Sequence, residues 1–156
     1  MALRIETVGR IHAGRIHAGG SNEREAVVKL LQKAGLLTDD LPTDLAGFLL
    51  AWDDDDLVGV AGLERHAALG LLRSVAVDPT HRNTGMATQL VERLLATADA
   101  THLQAIYLIT TTAEGFFSRY GFVSVSRDEV PDAIRQTRQF SGLCPASALV
   151  MKRNLP

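Results

Sequence analysis

One cysteine, Cys144, stands in 156 residues, so the chain carries neither a disulfide framework nor a cysteine-based zinc site. It lacks a surplus of either charge as well: 16 Lys and Arg face 18 Asp and Glu, a formal net charge of −2. Near-neutrality argues against a broad nucleic-acid or anionic-membrane surface and leaves room for a small local anion site. No apolar run approaches the length of a membrane span, and MALRIETVGR at the start has no apolar signal core. The cytosol is the expected location. Two phosphate-binding signatures are also missing. The Walker pattern needs Gly-Lys-Ser/Thr, and the dinucleotide fingerprint needs three spaced glycines directly after the first strand.

What is present reads as one α/β domain over residues 1–156, with no linker or composition break to divide it. The pentad Gly-Arg-Ile-His-Ala occurs at Gly9 and again at Gly14. Its period is far too short for a solenoid, and it reads as a local duplication that lengthens a first strand or its loop. The odd spacing of His12 and His17 puts them on opposite faces of a strand, which argues against a shared metal.

A helix is expected from Asn22, with Glu25 completing a capping box, Ala26, Val27, Leu30, Leu31 and Ala34 forming the apolar stripe, and Gly35 ending it. AGFLLAW, the run Asp53 to Asp56 and LVGVAGLE read as strand, turn and strand. The aspartate run lacks the spaced oxygen ligands and ordered glycine of a calcium loop, so it is a solvated hairpin tip. GLLRSVAV is a third strand. From Gly85 a helix buries Met86, Ala87, Leu90, Val91, Leu94, Leu95 and Ala98. AIYLIT is nearly all apolar, as for a central strand covered on both faces. A capping box at Thr111 to Glu114 opens a short helix ending at Gly121, FVSVS is a strand, Pro131 starts a helix, and ASALVMKR closes the chain as a strand.

The stretch DPTHRNTGMATQL, Asp78 to Leu90, opens its helix with a donor-rich turn after a strand. A helix start leaves backbone N–H groups unpaired and carries a partial positive charge, so the amides can converge on phosphate oxygens. Gly85 removes a side chain from the approach, Ala87 keeps the next turn small, and Arg82 can offer a bidentate charge. A plain cap with Thr84 as the capping residue is the alternative.

Arg82-Asn83-Thr84-Gly85-Met86-Ala87 matches an Arg/Gln-x-x-Gly-x-Gly/Ala signature, and in this setting the chain resembles the GNAT N-acetyltransferases. AEGFFSRYGF resembles that family's second motif, a short helix closing on Gly-Phe, and the element order fits over almost the whole chain. The resemblance implies a mixed central sheet of about six to seven strands with helices on both faces and a splay between the two central strands. It implies acetyl-coenzyme A as cosubstrate, and no metal. The pyrophosphate would rest on the amides of Asn83, Thr84, Gly85, Met86, Ala87 and Thr88, with Arg82 alongside. The pantetheine arm would run along Val75, Ala76 and Val77, and a backbone N–H near Val75 would stabilise the oxyanion.

For the acceptor side, Glu64 is the first candidate base, directly or through a water; a strand-end carboxylate or a grip on the substrate's ammonium are the alternatives. Phe117 occupies the position where many relatives place an acidic tyrosine, and no residue is assigned as general acid. Tyr120 sits three residues further round the helix, and Thr111, Thr112 and Ser118 are poor acids. Arg73 and Ser74, with Thr111, are the candidate acceptor-binding residues. Arg73 in an apolar strand either clamps a carboxylate or pairs with Glu64. Arg135, Arg138 and Ser141 default to a solvated face, and His66, His81 and His102 to surface histidines.

LLRSVAV, TTTAEGFFSRYGF, VPDAIRQTRQF and LCPASALVM are similar to the arsenic-resistance N-acetyltransferase subgroup and, more loosely, to the acetyl-transfer domain of N-acetylglutamate synthases. That implies a small acceptor with a free α-amine, an amino acid or an organoarsenical amino acid. One thiol is a poor chelate for trivalent arsenic, so Cys144 reads as a small buried or pocket-lining residue. Family members are often dimers, and the resemblance allows a homodimer. A catalytically weak acyl-coenzyme A-binding module with a sensing role is the competing class, favoured by Phe117.

Overall fold

A computed structural model describes residues 3–7, 11–12, 15–16, 21–36, 38–41, 45–82, 84–111, 113–137, 140 and 148–155. Among the described residues nine strands and four α-helices follow in the order β1 (Leu3–Thr7), β2 (Ile11–His12), β3 (Arg15–Ile16), α1 (Ser21–Lys33), β4 (Phe48–Asp53), β5 (Asp56–His66), β6 (Leu69–Val77), α2 (Met86–Ala100), β7 (Ala105–Thr110), α3 (Glu114–Ser118), β8 (Val123–Val125), α4 (Asp132–Arg135) and β9 (Leu149–Asn154). Seven of the strands make one mixed sheet, ordered β1-β4-β5-β6-β7-β9-β8. The parallel pair is β6 with β7, through Leu69 to Leu71 against Ala105 to Tyr107. This is the α/β architecture expected from the sequence, with seven strands.

The chain forms two compact units, residues 1–63 with 74–96, and residues 64–73 with 97–156. In the first, β1 and β5 flank β4 in antiparallel ladders. Alternation along β4 assigns the two faces. Phe48, Leu50 and Trp52 join Val60 and the α1 residues Val27, Leu30 and Leu31 in one buried cluster. Each of these large side chains gains about 1.5–3 kcal/mol by leaving water. Ala51 and Gly59 belong to the other face, where α2 packs. A Cβ at Gly59 would come within 2.8 Å of Met86 Sδ and 3.2 Å of Leu90 Cδ1, so this glycine lets α2 lie close on the sheet. Met86, Leu90, Val91, Leu94, Leu95 and Ala98 are buried as the periodicity requires, whereas Ala87 is half-buried.

In the second unit β9 pairs antiparallel with both β7 and β8. Leu71, Ala105, Tyr107, Val130, Ile134 and Val150 form its core. The aspartate run is a two-residue hairpin tip: Asp53 pairs with Asp56, and Asp54 takes φ +54°.

Several boundaries differ from the sequence reading. The duplicated pentad forms a small separate antiparallel pair between β1 and α1, with Ile11 opposite Ile16 and His12 opposite Arg15, so that of the two expectations it lengthens the loop and not β1. Helix α1 begins at Ser21, one residue before Asn22, and α2 begins at Met86, after Gly85. The capping box at Thr111 to Glu114 does not form. Ala113 is the cap residue of α3 without a side-chain bond, and the Thr110 hydroxyl accepts its N–H at 2.9 Å. Pro131 caps α4 from outside instead of occupying its first turn. Gly35 and Gly121, expected at helix ends, take φ +75° and +84°.

Candidate functional site

The anion turn belongs to the first unit. Asp78 follows β6, and its N–H donates to the Val58 carbonyl at 2.7 Å, which ties the turn to β5. A 3-10 turn over Pro79–His81 follows, with the Asp78 carboxylate accepting from the Thr80 N–H at 3.0 Å and the Thr80 hydroxyl at 2.7 Å. Lys33 Nζ from α1 donates to the other oxygen at 3.2 Å. These bonds, the Thr80 hydroxyl foremost, hold the Asp78 carboxyl at about 2, well below its ordinary range.

Beyond the 3-10 turn the chain opens to solvent at Arg82, Thr84 and Gly85. The Thr84 hydroxyl donates back to the His81 carbonyl. Arg82 Nε lies 3.4 Å from the Val77 carbonyl. Gly85 takes φ +80°, and a Cβ there would meet no atom within 4 Å. Its backbone conformation, more than any crowding by the protein, therefore calls for glycine. The Gln89 N–H bonds back to the Gly85 carbonyl at 3.0 Å, so α2 presents its first amides at this exposed corner. Asn83 and Thr112 lie outside the described residues, as do Arg138, Ser141, Cys144 and His17.

Ser74 takes φ +58° within β6 while 8% exposed. A left-handed residue inside a strand re-aims the peptide that follows, here the N–H of Val75. Val75 and Val77 are half-buried and Ala76 is buried.

Of the acceptor-side candidates, Ser74 belongs to the first unit, and Glu64, Arg73 and Thr111 to the second. Arg73 is 3% exposed, and its Nη1 donates to Glu64 Oε2 at 2.7 Å. His66 Nε2 lies 2.9 Å from Glu64 Oε1. Both carboxylate oxygens are thus engaged, and the pairing with Glu64 allowed for Arg73 in the sequence reading is present. His66 is not the isolated surface histidine expected. Two residues apart on one strand, it shares the face of Glu64, and that spacing is a signal the sequence contained. Arg65 braces the adjoining hairpin, donating to the carbonyls of Ala67 and Thr101, both at 3.1 Å.

Phe117 is 7% exposed and stands edge-on to Phe116 and Phe122, with centroids at 5.1 Å and 5.9 Å. Tyr120 lies against Phe116 at 5.3 Å. The Ser118 hydroxyl donates to its own helix at Glu114, while Thr111, Arg135 and His102 are exposed. His81 is likewise no lone surface residue, since its Nε2 meets Asp53 Oδ2 at 2.9 Å. Twenty-eight positions separate the two, so no local spacing announced the contact.

Residues 44–124, just over half of the chain, match the family model described as the acetyltransferase (GNAT) domain. The chain belongs to the GNAT acetyltransferase family. Within it, the chain is 24% identical over 132 residues to the amino-acid acetyltransferase of Neisseria meningitidis serogroup A, covering 81% of this chain and 30% of that protein. It therefore spans less than a third of the length of the curated relative it matches. Among solved structures, N-acetylglutamate synthase from Neisseria gonorrhoeae, complexed with coenzyme A and N-acetyl-glutamate, shares the fold at a TM-score of 0.76 and 20% identity, over 100% of this chain and 36% of that one. A GNAT-family acetyltransferase from Staphylococcus aureus does so at 0.72 and 22%, over 99% and 100%.

Proposed function

We propose that this chain is an N-acetyltransferase that moves an acetyl group from acetyl-coenzyme A to the amine of a small, amino-acid-like acceptor. The observation that carries the coenzyme half is the exposed corner at Arg82, Thr84 and Gly85, with Gly85 at φ +80° ahead of a fifteen-residue helix. Arg82 and the amides from Asn83 to Thr88 hold the pyrophosphate. Val75, Ala76 and Val77 pair with the pantetheine arm, and the N–H of Val75, re-aimed by Ser74, steadies the negative oxygen that develops on the thioester carbonyl.

Transfer is direct. The neutral amine nitrogen attacks the thioester carbonyl, the C–S bond breaks, and the coenzyme leaves as its thiol. Glu64 takes the amine's proton, directly or through a water, with Arg73 and His66 fixing its carboxylate. Phe117 offers no proton, and the leaving thiolate takes one from water.

The acceptor reading, with Arg73, Ser74 and Thr111 as binding residues, draws support from the amino-acid acetyltransferase relatives. The finer assignment, a glutamate-like or arsinic amino acid, rests on the resemblance of LLRSVAV, TTTAEGFFSRYGF, VPDAIRQTRQF and LCPASALVM to arsenic-resistance acetyltransferases and, more loosely, N-acetylglutamate synthases; a cytosolic location and a homodimer complete the proposal. Phe117, which cannot donate a proton where many relatives place a tyrosine, favours one alternative, a coenzyme-binding module with little turnover. A thiol-release assay with acetyl-coenzyme A and a panel of amino acids, glutamate and its phosphinic and arsinic mimics included, decides between them. Turnover with at least one α-amine supports the enzyme, and coenzyme binding without any turnover supports the module.

A further inference from the structure

The protons around the 3-10 turn can be counted. Thr80 Oγ1 lies 2.7 Å from Asp78 Oδ1 and 2.8 Å from His81 Nδ1, and His81 Nε2 lies 2.9 Å from Asp53 Oδ2. Asp78 stays ionised down to about pH 2, so it only accepts, and the single hydroxyl proton of Thr80 is spent on it. The Thr80 oxygen then offers only lone pairs to Nδ1, which must donate. The Asp53 carboxylate also only accepts, so Nε2 must donate too. Both contacts are hydrogen bonds together only when the ring carries two protons. A neutral ring sets one nitrogen lone pair against an oxygen and forfeits a bond at that end.

We propose that His81 is a positioning residue whose doubly protonated ring latches the coenzyme turn to strand β4. The proposal rests on reading Arg82 to Thr88 as the coenzyme's anion cradle. Asp53 is the last residue of β4, and His81 is the last residue of the 3-10 turn. The His81 carbonyl accepts the Thr84 hydroxyl, one residue before Gly85. The ring therefore links the sheet to the corner where α2 presents its amides. The charged groups about it are its partner Asp53 from β4 and, sharing its cavity, Asp78 from its own turn, Lys29 and Lys33 from α1, Asp55 from the hairpin tip and Asp56 from β5. All but Asp53 line with it a cavity of about 690 Å³, which gives the ring proton a route to water. As pH rises and the ring loses a proton, one anchor is lost and the cradle is less well preorganised.

The test follows coenzyme A binding by calorimetry, from about pH 5.5 to about pH 8.5, on the full chain and on His81→Gln, with nitrogen NMR of the histidine rings alongside. The His81 signal is identified by its absence from the variant. Both ring nitrogens of His81 are expected to be protonated at the acid end, and the dissociation constant to rise about three- to tenfold over the interval in which one proton leaves. His81→Gln is expected to bind more weakly at the acid end and to lack that rise. The coenzyme's own phosphate titration is common to both proteins and cancels in their ratio. A singly protonated His81 ring at the acid end overturns the latch, as does a wild-type to variant ratio that does not change with pH. Absence of coenzyme binding at every pH overturns instead the coenzyme reading on which the latch's role depends, while the NMR still reports whether the ring is doubly protonated.

Discussion

Arg73 Nη1 lies 2.7 Å from Glu64 Oε2, with the arginine side chain 1% exposed and the glutamate 17%. A guanidinium this deep is sustained by its partners, and Glu64 cannot be removed without leaving a buried charge behind. Arg73→Ala is expected to lower the unfolding free energy by about 3 kcal/mol, the low end for breaking a buried pair, because Glu64 keeps some contact with water. Urea denaturation measures this, and a change within the scatter of surface substitutions would show that the pair does not support the unit.

His66 is expected to act on turnover through the orientation of Glu64. Its Nε2 meets Oε1, and a glutamine amide can reach the same place. His66→Gln should keep kcat within about threefold of wild type, while His66→Ala should lose about tenfold, the worth of one hydrogen bond to a charged group. KM for acetyl-coenzyme A should stay unchanged in both. Equal loss in the two variants would mean that the imidazole carries protons instead of holding the carboxylate.

Gly85→Ala separates the two substrates. At φ +80° an alanine Cβ has open space but a left-handed backbone, which costs about 1–2 kcal/mol. The turn is expected to relax away from this conformation, raising KM for acetyl-coenzyme A about tenfold and leaving KM for the acceptor alone. Steady-state kinetics with each substrate varied in turn reads the difference.

Asp78 makes stability depend on acid. Its carboxyl is held at about 2 in the folded chain against an ordinary 3.8, so its contribution is fully present above the higher value and is lost as pH falls through the lower. Urea unfolding of wild type and Asp78→Asn should give a constant gap above about pH 5 that closes toward about pH 2. A gap that persists at the acid end would trace the stabilisation to something other than the ionised carboxylate.

Much of the framework was legible because burial repeats with the period of each element. The α2 stripe from Met86 to Ala98 and the apolar run of β7 each read as a buried helix face and a central strand. Chain ends of elements were less legible. Thr111 and Glu114 have the spacing of a capping box, yet the hydroxyl that bonds Ala113 belongs to Thr110, inside the preceding strand. On the site, the turn at Arg82 to Ala87 was readable because its parts are contiguous. The Glu64–His66 contact was readable in principle from strand alternation, while Asp53 and His81 meet only because the fold returns the end of β6 to the hairpin tip.

The central claim is acetyl transfer to an α-amine with Glu64 as base. The most direct measurement counts free coenzyme thiol and N-acetylated product together for wild type and Glu64→Gln, with the best acceptor of the amino-acid panel. Equal amounts of thiol and N-acetyl amino acid are expected from wild type. In Glu64→Gln, kcat should fall by about a hundredfold or more while coenzyme A binds as before. Thiol release without acetylated amine, or full turnover in Glu64→Gln, would contradict the account.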